Sequence, residues 1–208
     1  MAETERKARV AVLISGGGTN LQALINSEKR GELKSGEIVL VVSNSPSAYG
    51  LKRAEKAKIP TEIITKKAMG CQKAFEEELK RVLLQNRIDL VVLAGFLAIL
   101  SKDFTDAFPG RIINVHPSLI PSFCGEGYYG IRVHEEALKK GVKVTGATVH
   151  FVNEIPDAGK IILQKAVKVC ENDTPETLQK RVMRLAEWQL LPKAAEMVCA
   201  EIINRNGD

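Results

Sequence analysis

The chain has 208 residues, 45% hydrophobic and 26% charged, and a formal net charge of +5, a size and balance suited to one sizeable α/β core. Its basic residues are spread along predicted helices and aromatic residues make up only 5%, which argues against nucleic acid as a partner by either a basic stripe or a stacking platform. No apolar run approaches the ~20 residues of a membrane span, so small molecules, with anions favoured by the charge, are the expected partners.

Cys71, Cys124, Cys170 and Cys199 are scattered, without a C-x-x-C pair or a histidine at metal-site spacing. They read as reduced thiols, and no metal is expected. Residues 1–8 read as a flexible polar tail without the apolar core of a signal peptide. Together these features predict a cytoplasmic protein.

Residues 10–14 are continuously apolar, the pattern of a strand buried on both faces of a parallel sheet. Ser15-Gly16-Gly17-Gly18-Thr19-Asn20 follows, then Leu21, Leu24 and Ile25 at helical spacing. Further strands are predicted at 38–42, 61–64, 90–93 and 112–115, with helices at 49–57 and 71–86 and a short one starting near Ser101 with Asp103 in its first turn. The stripe Phe75, Leu79, Val82, Leu83 marks the second of those helices. Residues 121–130 read as a glycine-rich surface loop, and 133–140 as a helix. Two more strands are expected at 144–152 and 161–169. Thr174 or Asp173 caps a C-terminal helix with Pro175 in its first turn, running to about residue 204 and interrupted near Pro192. No repeat or linker divides the chain, so residues 1–208 form one domain.

Three features could carry chemistry. The glycine loop offers backbone N–H groups at a helix N-terminus, suited to an anion, though it matches neither a Walker A nor a G-x-G-x-x-G pattern; a tight strand-to-helix turn is the plain alternative. Alternation along an extended strand sends Asn114 and His116 to one face, where Pro117 stiffens the exit. An amide donor beside a titratable imidazole suits a reacting carbonyl; a buried pair satisfying backbone groups is the bland alternative. Ligands bind outside the carboxyl ends of strands in open parallel sheets, so the glycine loop, Gly95-Phe96 and the Asn/His pair are expected at one edge. His134 and His150 compete with His116, a lone strand histidine such as His150 being more often a satisfied core residue. Asp157 in a Pro/Gly turn and Glu187 on a helix would by default be a cap and a solvated acid.

Ser15-Gly16-Gly17-Gly18-Thr19-Asn20-Leu21-Gln22-Ala23-Leu24, Leu93-Ala94-Gly95-Phe96, Asn114-Val115-His116-Pro117-Ser118-Leu119-Ile120-Pro121, and Gly146-Ala147-Thr148-Val149-His150-Phe151-Val152 with Asp157-Ala158-Gly159 closely resemble the phosphoribosylglycinamide formyltransferases, a branch of the folate-dependent formyltransferase superfamily. The resemblance spans residues 9–203. It implies a single-domain Rossmann-like formyltransferase fold. A mostly parallel central sheet is flanked by helices, with an antiparallel extension near the C-terminus. The N-terminal half would bind phosphate and ribonucleotide, the C-terminal half folate.

The implied reaction moves the formyl group of 10-formyltetrahydrofolate to the amine of 5-phosphoribosyl-glycinamide, in purine biosynthesis and without a metal. The resemblance casts Asn114, His116 and Asp157 as catalytic. Gly17, Gly18, Thr19, Asn20, Pro117 and Glu187 would bind the ribonucleotide. Gln72, Phe96, Leu97, Ala98, Ile99 and Leu100, with Asn114, Glu154, Ile155 and Pro156, would bind the folate.

Departures fall at Ala98 and Gln72, where many relatives carry arginine, and at Trp188, where histidine is common. Lys66, Lys67 and Lys73 read as plain solvated surface, with substitution for those arginines toward the folate tail as the alternative. Residues 126–130 would form either a lid or a harmless insertion. A monomer and a homodimer are both compatible. Other readings share the residues: a formyltetrahydrofolate hydrolase, expected to carry an added N-terminal domain and commonly a second histidine where Pro117 stands; methionyl-tRNA or sugar-nucleotide formyltransferases, expected to carry an additional C-terminal domain; and a catalytically silent binding module.

Overall fold

The computed structural model describes residues 6–205. Most of the expected 1–8 tail lies outside the described residues, but its last positions are structured. Ala8 opens the first strand, and Arg6 pairs with Asp89 at 3.1 Å. Cα packing separates the chain into two compact units, one running to Phe96 and resuming at Ala195, the other Leu97–Ala194.

The first unit is built on β1 (Ala8–Ile14), β2 (Gly36–Ser43), β3 (Thr61–Ile63) and β4 (Leu90–Leu93). They pair in parallel in the order β3-β2-β1-β4. Parallel strands need crossovers, supplied by α1 (Thr19–Lys29), α2 (Tyr49–Lys56), and α3 (Lys66–Met69) with α4 (Gln72–Gln85). From Val10 to Ile14 β1 has no exposed area, which explains its uninterrupted apolar run. The four-residue α3 was not expected; its lysines read as plain surface, yet the Thr65 hydroxyl accepts from the Ala68 N–H at 3.1 Å and starts the turn.

The second unit contains α5 (Lys102–Thr105), β5 (Ile112–His116), α6 (Ile131–Lys139), β6 (Val144–Phe151), β7 (Ile161–Lys168) and α7 (Pro175–Val182). A π-helical turn at Met183–Glu187 leads into α8 (Trp188–Arg205). β5, β6 and β7 are antiparallel neighbours. The α/β class, the parallel N-terminal strands and the antiparallel C-terminal extension all agree with expectation. Thr174 caps α7 and Pro175 enters its first turn, as the sequence predicts.

The expected break at Pro192 is displaced. Pro192 sits inside α8, and the irregular winding occurs one turn earlier, at Met183–Glu187. A proline ring crowds the carbonyl four residues back, here Trp188, the residue that closes the wide turn. The wide turn ends at that residue and the helix continues through Pro192.

Candidate active site

In the second unit, β5 carries Asn114 and His116 on one face, as alternation requires. The antiparallel register sets His150 of β6 directly opposite Asn114, and Thr148 opposite His116. The turn after β6 brings back Asp157, held at φ 57°, a left-handed conformation that Asp tolerates better than most residues. Four side chains from three segments therefore converge.

Asp157 is the hub. Its Oδ2 lies 3.3 Å from His116 Nδ1 and accepts the Gly125 N–H at 2.9 Å, and its Oδ1 lies 3.5 Å from His150 Nε2. His116 Nε2 meets the Phe123 carbonyl at 2.8 Å, and His150 Nδ1 meets the Phe151 carbonyl at 2.8 Å. A carbonyl only accepts, so each of these ring nitrogens bears the proton. In the neutral rings, His116 Nδ1 and His150 Nε2 are left as lone pairs. Asn114 Nδ2 lies 3.2 Å from His150 Nε2 and must be the donor there, which fixes the orientation of the amide.

Burial of His116 holds its pKa below the ordinary value, against the opposing pull of Asp157 and the Phe123 carbonyl. Burial alone would raise Asp157, but its polar neighbours His150, His116 and the Gly125 N–H outweigh it, so its pKa is lowered. At neutral pH the pair is a carboxylate beside a neutral imidazole.

The loop at 121–130 is more than surface, because Phe123 and Gly125 contribute the two backbone groups that orient His116 and Asp157. Its entry is pinned by Thr148, whose hydroxyl donates to the Ser118 carbonyl at 2.7 Å and accepts the Ile120 N–H at 3.1 Å. Pro117 is half-buried beside this network. Leu97 and Ile99 are each 62% exposed and Ile155 58%, apolar surface of the kind that receives a flat heterocycle. Ala98 is half-buried, Leu100 is buried, and Glu154 and Pro156 are exposed. Glu187, by default a solvated acid, is only 6% exposed, at the end of the π turn. His134 is fully buried on α6 with both ring nitrogens unpaired among the described residues.

In the first unit, Gly18 stands at the N-cap of α1 with φ 68°. Gly17 is exposed, Thr19 half-buried and Asn20 buried. Arg53 of α2, which sequence reasoning missed, donates from Nε to the Gly17 carbonyl at 2.8 Å and from Nη1 to Gln22 at 3.1 Å. The Gly50 N–H adds a bond to the Gly16 carbonyl at 3.0 Å. Backbone donors, a helix N-terminus and a guanidinium thus meet at one loop, a setting for a phosphate. Elsewhere in this unit Phe96 is buried and Gln72 donates to Glu76 at 2.7 Å.

Comparison with known proteins identifies the family and the fold. The formyl transferase family matches residues 8–195. The trifunctional purine biosynthetic protein adenosine-3 of Homo sapiens is 48% identical over 196 residues, which are 94% of this chain but only 19% of that protein. The chloroplastic phosphoribosylglycinamide formyltransferase of Arabidopsis thaliana is 39% identical over 98% of this chain and 69% of its own. The crystal structure of glycinamide ribonucleotide transformylase 1 from Symbiobacterium toebii superposes with a TM-score of 0.88 at 39% identity, covering 94% of this chain and 89% of that one. By these matches over nearly its whole length, the chain belongs to the formyl transferase family, in its phosphoribosylglycinamide formyltransferase branch.

Proposed function

We propose that this chain transfers the formyl group of 10-formyltetrahydrofolate to the amine of 5-phosphoribosyl-glycinamide, giving formylglycinamide ribonucleotide and tetrahydrofolate in de novo purine biosynthesis. The observation that carries this reading is the meeting of Asn114, His116 and Asp157 in one cluster, with the hydrogen-bond polarity that amine formylation needs. In the overall reaction the amine nitrogen bonds to the formyl carbon, the carbon–nitrogen bond to the folate breaks, and the proton lost by the amine ends on the departing folate nitrogen.

The side chains divide that work. One Asn114 amide hydrogen is committed to His150, and the other is directed to the formyl oxygen as negative charge develops on it. Removing a donor of this kind typically costs about 10²–10³ in turnover. His116 accepts a proton at Nδ1, where Asp157 Oδ2 at 3.3 Å stabilises the resulting imidazolium. Asp157 supplies the negative charge that makes this uptake favourable. The glycine loop with Arg53 takes the phosphate, Glu187 accepts from ribose hydroxyls, and the apolar surface of Leu97, Ile99 and Ile155 receives the pterin.

The test is an absorbance assay for tetrahydrofolate formation from the 10-formyl donor, with and without glycinamide ribonucleotide. Product only with the acceptor, together with formylated ribonucleotide, supports the transferase. Equal product without acceptor would make the chain a hydrolase. Folate binding without product would leave a binding module.

A further inference from the structure

We propose that His150 is a positioning residue for this reaction, a neutral imidazole that holds the Asn114 amide in its donor orientation and keeps it from turning onto the Asp157 carboxylate. The inference rests on the reading of Asn114 as the oxyanion donor. Nothing in the resemblance assigned His150 a role, and by itself a strand histidine reads as core.

The geometry is specific. His150 is 2% exposed, and each polar atom of its ring is used. Nδ1–H donates to the Phe151 carbonyl at 2.8 Å, which fixes the tautomer and leaves the Nε2 lone pair facing the site. That single nitrogen lies 3.2 Å from Asn114 Nδ2 and 3.5 Å from Asp157 Oδ1. The imidazole therefore stands between a primary amide and a carboxylate, two groups that otherwise attract each other strongly. A hydrogen bond to an ionised acceptor is roughly twice as strong as one between neutral groups. With the ring removed, the Asn114 amide loses its neutral acceptor, and any rotation toward the carboxylate draws the second amide hydrogen away from the substrate oxygen. Asp157 would also lose part of its freedom to stabilise protonated His116. With the ring present, the amide is satisfied by a neutral acceptor and stays in register with β5.

Two substitutions separate this role from packing. His150→Leu fills much of the volume and offers no acceptor. His150→Gln can present a neutral carbonyl oxygen near the place of Nε2. The expected result is a loss of about 10²-fold in kcat for His150→Leu, the scale of a misaligned reacting group. KM for both substrates should change little, and His150→Gln should recover most of kcat. Asn114→Ala alone should lose about 10²–10³-fold, and adding His150→Leu to it should cost nothing more, because His150 acts through Asn114. Nitrogen-15 NMR of the intact protein should show His150 protonated at Nδ1 only, and the Nε2 resonance should shift in Asn114→Ala. Impaired Asn114→Ala with unimpaired His150→Leu, or losses that multiply in the double variant, would overturn the positioning role alone. Unimpaired Asn114→Ala would overturn the oxyanion role of Asn114 and this proposal with it.

Discussion

Gly18 and Gly50 touch. A Cβ built on Gly18 would lie 2.6 Å from the Gly50 Cα, and one built on Gly50 would strike the Ile14 side chain. The loop at the head of α1 and the first turn of α2 are in contact because neither residue has a side chain, and the Gly50 N–H to Gly16 carbonyl bond at 3.0 Å closes the contact. Gly18 also needs its positive φ of 68°. Gly50→Ala should push α2 from the loop, destabilising the fold by about 1–3 kcal/mol and raising KM for the ribonucleotide much more than KM for the folate. Melting temperature and separate substrate titrations check this. Equal effects on both KM values would remove the glycine loop from phosphate binding.

Asp157→Asn tests the hub of the second unit. Asn tolerates the left-handed φ of 57° about as well as Asp, so the turn should survive while the charge is lost. Turnover should fall by about 10²-fold or more, in the range of general acid–base contributions, with both substrates still bound. The carboxylate is one of the groups that raise the His116 pKa against burial. Without it, His116 should titrate at a lower pH than in the parent protein, which histidine proton NMR would follow. An unchanged His116 titration would mean that the two groups are not coupled.

The N-terminal strands were legible because a parallel strand buried on both faces is written as an unbroken apolar run, as in Val10 to Ile14. Asn114 and His116 were legible together because strand alternation is local. What escaped was non-local. His150 opposes Asn114 only through the antiparallel register of β5 and β6, and Arg53 reaches Gly17 across 36 residues. The default solvated role for Glu187 failed because the π turn buries it, and a spacing of 3.6 residues has no place for such a turn. Phe123 and Gly125 act through backbone groups, which leave no signature in side-chain chemistry.

His134 should make the fold acid-sensitive. Burial foremost, with the His116 charge added, lowers its pKa from 6.5 to about 4. The unfolded chain therefore binds a proton at His134 at a higher pH than the folded protein does, and stability falls as pH drops below 6.5. At about 1.4 kcal/mol per pKa unit, the loss approaches about 3 kcal/mol by the time pH reaches 4. His116, also lowered by burial, pulls in the same direction. Denaturant midpoints at pH 7 and pH 4.5 should differ accordingly. His134→Gln should have a flatter dependence over that interval whatever its stability at neutral pH. An equally steep dependence in the variant would assign the acid sensitivity to other groups.

Cys199 and Gly36 make the first unit testable by thiol chemistry. Cys199 is fully buried, and a Cβ on Gly36 would lie 2.7 Å from its sulfur. Burial, helped by Glu196 and Asp89, pushes the thiol up to about 12, so almost no thiolate exists at pH 8. Cys71 and Cys170 are exposed. A thiol reagent should label those two in the native protein and reach Cys199 only when denaturant opens the unit. Gly36→Ala forces the sulfur to move and should cost about 1–3 kcal/mol. Cys199→Ala leaves room for the new methyl group, so the double variant should be more stable than the sum of the two single losses predicts. Strict additivity would mean that the backbone at Gly36, and not the sulfur, yields to the methyl group.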